Sequence, residues 1–307
     1  MTLRNLLQLG LALCVSLGLA CATTAPPPAD TGELFLWEVA RQDGSGGVAH
    51  LLGSVHMAED ALTLDPAVDR ALAEADTLVL EIDPRELDPV HMAQLAVEKG
   101  SFPDGRTLDQ VLAPATWADL QERLTGEGLP VATFQSMEPW YALLTLQMLA
   151  LQREGYDVGQ GVETSLTQSA AESDKPTQGL ETVEQQLDMM SDLPLDLQVR
   201  QLEEFLRDGS GGGDISSLID AWQRGDAARL EREVFGELER DPSLLPYYER
   251  FYFDRNDRMA RGIASRVDEG GRWFVAVGAA HVVGARGVPS LLSQHGYRVR
   301  RLPKTVP

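Results

Sequence analysis

Apolar positions along this chain recur with two periods. Runs at 34–39, 48–56, 77–83, 272–278 and 297–302 are continuous or alternating and rich in Val, Ile, Leu and aromatic residues, which predicts strands. The first two flank Asp43-Gly44-Ser45-Gly46-Gly47 and read as a hairpin. Leu78-Val79-Leu80 and Phe274-Val275-Ala276-Val277 carry no polar alternation, as expected of strands covered on both faces. A short strand and turn is predicted at 175–182.

Apolar residues spaced by three and four predict helices in the remainder. They fall at 66–75, 107–112, 115–124, 140–153, 161–173, 183–191, 246–268 and 288–295. The segment 140–151 is apolar nearly all round but shorter than the roughly 20 residues that a bilayer requires, so it reads as a buried core helix. The Gly-rich stretch 208–214 reads as a flexible break between helices. Strands alternating with helices predict an α/β fold. Its expected form is a central mixed sheet flanked by helices, with a large helical insertion, in a single domain at 33–303.

The N-terminus changes the picture of where the chain works. Arg4 leads into an apolar stretch that ends at Ala20-Cys21, too short for a membrane span and shaped like an export signal at 1–20. The context Leu17-Gly18-Leu19-Ala20-Cys21 resembles a bacterial lipoprotein cleavage site, with Cys21 as the lipidated residue. Residues 21–32, with Pro26-Pro27-Pro28, form an extended tether. Membrane contact is therefore expected through the lipid anchor only, in an exported protein of the cell envelope, with plain secretion as the alternative. Cys14 would leave with the signal, so no intrachain disulfide and no Cys nucleophile is expected beyond Cys21.

A net charge of −21 over 307 residues argues against nucleic acid as a partner, since both are polyanions. Catalytic chemistry is then left to His, carboxylates, Ser, Arg or a metal. With 28 Gly and five His, on the order of half a Gly-x-x-His match arises by chance, yet three occur. His50, in the first, sits inside a predicted strand and reads as structural. His56 in Gly53-Ser54-Val55-His56 and His281 in Gly278-Ala279-Ala280-His281 each follow an apolar strand and precede a loop. Ligands of α/β folds bind at such strand ends, and the glycine admits a close approach to the backbone. Either imidazole is suited to ligate a metal or to act as a base near pH 7.

Three further positions stand out. Glu81 closes an apolar run, where a carboxylate is costly unless paired or coordinated, and it suits a metal ligand or a base on bound water. Asp83 shares its parity but adjoins Pro84 and reads as a turn residue. Arg255 interrupts the helical stripe Tyr248, Phe251, Tyr252, Met259, Ile263 and Val267, so it is expected to meet a carboxylate or an anionic substrate group. Asn256 beside it is a candidate substrate contact. Glu163 and Glu181 each follow a Gly by two residues at an expected helix start, where helix capping and substrate contact both account for an acid.

In this order, Gly53-Ser54-Val55-His56, Leu80-Glu81-Ile82-Asp83, Gly161-Val162-Glu163, Gly179-Leu180-Glu181-Thr182, Arg255-Asn256 and Gly278-Ala279-Ala280-His281 with Gly284 resemble the TraB/GumN family, whose relatives include the Tiki proteases. Ser54 stands where that family usually has Thr, and Glu163 where Asp is common. The resemblance implies an α/β fold of the erythromycin esterase/ChaN-like kind. It also implies a site formed by His56, His281, Glu81 and Arg255, with divalent-metal-dependent peptidase activity in Tiki-like members.

The expectation is a cell-envelope hydrolase, peptidase-like and divalent-metal-dependent, acting on a peptide or amide bond, with a peptide or small-molecule substrate as its partner. His56, His281 and Glu81 would hold a divalent metal ion, and Arg255 would stabilise an oxyanion or orient a carboxylate. Two rivals stay open: a metal-free, esterase-like hydrolase with a histidine base, and a non-catalytic envelope protein that binds a peptide signal or haem-like ligand.

Overall fold

The computed structural model describes residues 30–208 and 215–305. The export segment 1–20, Cys21, most of the tether and nearly all of the 208–214 break lie outside the described residues. In chain order the strands are β1 (Glu33–Arg41), β2 (Val48–Ser54), β3 (Thr77–Ile82), β4 (Thr177–Glu181), β5 (Arg272–Gly278) and β6 (Tyr297–Pro303). The helices are α1 (Pro66–Glu74), α2 (Pro89–Gly100), α3 (Leu108–Val111), α4 (Pro114–Gly126), α5 (Val131–Gln135), α6 (Pro139–Arg153) and α7 (Val162–Glu172). They continue with α8 (Val183–Ser191), α9 (Leu195–Asp208), α10 (Ile215–Gln223), α11 (Ala227–Arg240), α12 (Leu245–Tyr248), α13 (Asp254–Glu269) and α14 (Val288–Gln294).

The described residues divide into two compact units. One holds the sheet and comprises 30–84, 156–182 and 215–305; the other is helical and comprises 85–155 and 183–208. The fold is thus α/β, with a mixed six-stranded sheet and a helical insertion in the chain.

The sheet runs β4-β3-β5-β2-β1-β6. β2, β5, β3 and β4 are mutually parallel, and β1 is antiparallel to both β2 and β6. The hairpin expected from the Gly-rich turn is present, with Leu36 opposite Leu52 and Val39 opposite Ala49. One sheet face buries Leu36, Leu52, Leu78, Leu80, Phe274 and Ala276 against Val68, Ala71 and Leu72 of α1 and Val162, Leu166 and Ala170 of α7. α13 packs on β1, β2 and β5, with Met259, Ala260, Ile263 and Val267 buried, and α14 packs against β6. Double coverage is why the central strands read as unbroken apolar runs.

Helix starts follow local chemistry. α1 opens with Pro66 after Asp65, whose carboxylate accepts from Ala67 N–H. α2 repeats the device with Asp88 and Pro89. In the helical unit, α6 buries residues on nearly all sides, among them Trp140, Leu143, Leu146 and Leu151, as its composition predicts. Among the described residues no helix is long and apolar enough to cross a membrane.

One expectation needs correction. The segment 246–268 is not a single α-helix: α12 passes through a π-turn at Glu249–Phe253 before α13 begins. Asp254 N–H bonds to the carbonyl of Glu249, five residues back. The wider turn lets the consecutive aromatics Phe251, Tyr252 and Phe253 all be buried, with Phe235 of α11 against Tyr252 and Phe253 at centroid distances of 5.3 and 5.5 Å. A π-turn inserts one residue and so rotates the rest of its helix about the axis. In this chain the rotation sets the direction of Arg255-Asn256.

Gly161 shows how tightly the β2 exit is packed on α7. Val162 N–H bonds to Val55 O at 2.9 Å, and a Cβ on Gly161 would stand 2.2 Å from His56 O. Both neighbours are backbone, so neither can swing away. Gly161→Ala is expected to destabilise the protein by about 1–3 kcal/mol, as overpacking does. A denaturant midpoint equal to that of the wild type would contradict this packing.

Candidate active site

The carboxyl ends of β2, β5, β3 and β4 lie side by side, and the candidate residues emerge there. β2 stops at Ser54, and His56 comes two residues later. β5 stops at Gly278, and His281 sits in the 3-10 turn Ala279–Val282. Glu81 and Glu181 close β3 and β4, while α7 supplies Glu163 and α13 supplies Arg255 and Asn256. Far apart in sequence, these residues meet because parallel strands direct their ends to one edge. His50 stays within β2, opposite Glu38 of β1, as expected of a structural residue.

The two Gly-x-x-His segments fit into each other. A Cβ on Gly53 would stand 2.4 Å from a methyl of Val282, the residue after His281. A Cβ on Gly278 would stand 2.8 Å from His56 Nε2, 3.3 Å from Glu81 Oε1 and 3.6 Å from His281 Cδ2. The two imidazoles and the carboxylate therefore surround one bare Cα. In each motif the glycine's role is to leave space for the other.

Arg255 is 1% exposed and Glu181 4%. The Arg255 guanidinium donates to both oxygens of Glu181, through Nε at 3.2 and 2.9 Å and through Nη2 at 2.8 Å. Nη2 also donates to Glu81 Oε2 at 2.6 Å, and Nη1 to Phe251 O at 3.3 Å. Glu81 Oε1 accepts from Gly278 N–H at 2.6 Å and lies 3.9 Å from His281 Nε2. Burial alone would raise the Glu81 pKa. The charges of Arg255, His281 and His56 and the Gly278 N–H outweigh it and hold this carboxyl well below the usual carboxylate range. Glu81 is therefore ionised, in the form that a ligand or a fixed charge requires. Arg255 is likewise committed to two carboxylates and positions them.

Each imidazole is held from behind through Nδ1. His56 Nδ1 donates to Glu163 Oε1 at 2.8 Å, and Ser54 Oγ donates to the same oxygen. His281, 3% exposed, donates from Nδ1 to Asn256 Oδ1 at 2.6 Å, and the Asn256 amide N–H donates to Arg286 O at 2.8 Å. Asn256 is fully buried, with both ends of its amide engaged. Its geometry is that of a positioning residue. The same holds for Glu181, which ends a strand and does not start a helix. Glu163 does stand in the first turn of α7, but its carboxylate is turned to His56.

Sequence reasoning missed the part played by Ser54 and the meaning of its pairing. The two departures from the family pattern, Ser for Thr at 54 and Glu for Asp at 163, touch each other.

The environments drive the two rings apart. Burial pulls His56 down, but the charge of Glu163, its hydrogen bond and the charge of Glu81 outweigh this and raise it to about 9. His281 is lowered to about 4, by burial first and then by the Arg255 charge, with Glu81 and Glu181 opposing only in part. At neutral pH the site thus holds one imidazolium and one neutral ring whose Nε2 lone pair points inward. Among the described residues, no group of three or more His, Cys, Asp or Glu side chains is arranged to hold a metal ion as they stand.

This network has two measurable outcomes. Arg255→Leu removes the cation that Glu81 and Glu181 share, although Arg258 remains 3.4 Å from Glu181, and is expected to cost about 3–5 kcal/mol, read from denaturant unfolding; a near-neutral change would refute the pairing. In ion-free protein, ring NMR should show His56 titrating at about 9 and His281 at about 4. The signs differ for stability. The His56 contribution is complete below its ordinary pKa of 6.5 and is lost as pH rises through about 9. His281 removes stability as pH falls from 6.5 to about 4, because the unfolded chain takes up a proton that the folded chain refuses. Two rings titrating together near the ordinary value would overturn this electrostatic account.

Known proteins are similar to this chain over most of its length. The "Uncharacterized protein YbaP" of Shigella flexneri is 25% identical over 80% of this chain and 87% of its own length. The protein of that name from Escherichia coli (strain K12) is 25% identical over 79% and 87%. "Metalloprotease TIKI1" of Danio rerio is 23% identical over 92% of this chain and 66% of its own length. No solved structure matches. The model of the TraB/PrgY/gumN family matches residues 35–301, from the first strand of the sheet to the last and through every site residue named above, and the chain belongs to that family.

Proposed function

We propose that this protein is a hydrolase of the cell envelope that cleaves a peptide or amide bond at the His56–Glu81–His281 site, exported and anchored through Cys21. The observation that carries the reading is the pair of imidazoles with opposed protonation beside one bare glycine Cα. Titratable neighbours whose environments separate their pKa values form a natural acid and base. Two distant relatives bearing the name metalloprotease support the same reaction class.

His281 Nε2 is unprotonated and accepts a proton from water as the water oxygen attacks the carbonyl carbon. His56 carries a proton on Nε2 and delivers it to the leaving nitrogen as the C–N bond breaks. Glu163 holds His56 in its charged form until the proton is delivered, and Asn256 holds the His281 ring. Arg255 and Gly278 N–H keep Glu81 ionised, so that its charge favours the positive charge that develops on His281.

The donor chemistry also fits a divalent ion. Two imidazoles fixed through Nδ1 by outer partners, beside a carboxylate, are a recurrent ligand set. His56 Nε2, His281 Nε2 and Glu81 Oε1 are the atoms that would hold the ion, and they would have to draw closer around it. Bound there, it would polarise the carbonyl or acidify water.

The test is turnover of a peptide and ester panel by purified protein, with metal content measured and a chelator-stripped sample alongside. His281→Ala and His56→Ala are expected to lower kcat by about 10²–10⁴-fold, the usual worth of a positioned acid or base. Full activity in both variants, or peptide binding without turnover by the wild type, would overturn the reading. Stripped protein that keeps its rate would remove the ion and leave the proton chemistry.

A further inference from the structure

The mechanism needs the His281 proton on Nδ1, and nothing in an isolated imidazole ensures that. We propose that Arg286 is a positioning residue whose clamped side chain places its own carbonyl so as to fix the His281 tautomer. The catalytic consequence rests on the reading of His281 given above; the structural claim does not.

Asn256 is the intermediary. Its amide is nearly symmetric in shape, so steric fit alone would accept either orientation of its oxygen and NH2. The choice is made at the far end, where the amide donates to Arg286 O at 2.8 Å. A peptide carbonyl only accepts. Flipping the amide would set two oxygens against each other and offer an N–H to His281 Nδ1, sending the ring proton to Nε2. The carbonyl of residue 286 therefore forces Asn256 Oδ1 toward the ring, and the ring must answer with Nδ1–H at 2.6 Å. Tautomer choice by the partner of the opposite nitrogen is the general rule for histidine.

The position of that carbonyl is set in turn by the Arg286 side chain. Residue 286 lies in a tight turn, in which Gly287 N–H bonds to Gly284 O at 3.1 Å and Gly284 takes a φ of +79°. Ser290 and Gln294 tether the carbonyls of Gly284 and Ala285. Arg286 reaches out of the turn to grip Glu249 with both Nη atoms, at 2.6 and 2.9 Å, and its guanidinium lies 4.0 Å from the ring centre of Phe253. A bidentate pair combined with stacking gives geometric definition that a point charge does not. Glu249 and Phe253 are the two ends of the π-turn that leads into Arg255-Asn256. One short segment thus grips the loop after His281 and presents the amide that reads the loop's position. The clamp is partly exposed, with side-chain exposures of 43% for Arg286 and 35% for Glu249, so a contact at the surface governs a proton in the interior.

The experiment uses full chain with 15N-labelled histidine, and compares wild type, Arg286→Ala, Arg286→Lys and Glu249→Gln in long-range 1H–15N spectra at one neutral pH. Wild type is expected to show His281 as a single Nδ1–H tautomer. Arg286→Ala and Glu249→Gln are expected to lose that purity and show both tautomers, with Arg286→Lys in between because it keeps charge without the fork. A folded Arg286→Ala protein with an unchanged tautomer would overturn the proposal. If that variant does not fold, the near-isosteric Glu249→Gln decides by the same criterion. Where the wild type hydrolyses a substrate, Arg286→Ala should lower kcat by about 10–100-fold with KM little changed, as loss of an outer-shell partner does. Altered tautomer with unaltered kcat would overturn the catalytic consequence. The spectra report on the clamp even if no substrate is turned over, so the two readings fail separately.

Discussion

A guanidinium removed from water must be surrounded by acceptors, and anions must be brought to it for the burial to be tolerable. Arg255 meets this demand with Glu181 from the end of β4 and Glu81 from the end of β3. The pairing ties α13 to two strands, and so determines where the carboxylate between the histidines can stand. Glu81 then has one oxygen on Arg255 and the other on Gly278 N–H, at the end of β5. Three of the four parallel strand ends are joined through one cation. The remaining one, β2, enters through His56, whose ring fills the space that Gly278 leaves open.

Around this centre the acids have divided roles. Glu81 supplies a fixed negative charge, Glu181 neutralises the arginine, and Glu163 keeps a proton on His56. All three carboxylates are engaged by neighbours, and in the proposed reaction the neutral ring is the proton acceptor. Asn256 supports that ring without adding charge. A carboxylate in its place would pull His281 toward the imidazolium form, and the contrast between the rings would shrink.

Much of this is legible in the chain. Periodicity finds each strand of the sheet and the helices at 66–74, 162–172 and 183–191 to within a residue or two. His56, His281, Glu81 and Arg255 stand out because each breaks a local rule, as an imidazole at a strand exit or a charge in an apolar run. α2, α5, α9, α10 and α11 are absent from the sequence reading. In α11 only Leu230 and Val234 are fully buried, although Asp226 does mark its start. The π-turn has no signal either, since a stripe spaced by three and four looks the same with one residue inserted. Glu163 and Glu181 are ambiguous for a deeper reason. Whether an acid after a glycine caps a helix or pairs with a distant ring depends on which strand lies beside it, and strand order is a property of the fold. Ser54 reads as a mild substitution until the structure places it against Glu163.

The nested glycines carry one last implication, for ancestry. Each motif is the mould for the other, so neither is a portable cassette. A Gly-x-x-His loop moved alone onto another sheet would arrive with its cavity and without the residue that fills it. Drift within this chain is similarly bound: a side chain gained at Gly53 or Gly278 collides with the opposite loop, and relief must come from across the sheet. Variation at one end of the sequence is thereby answerable to the other, more than two hundred residues away.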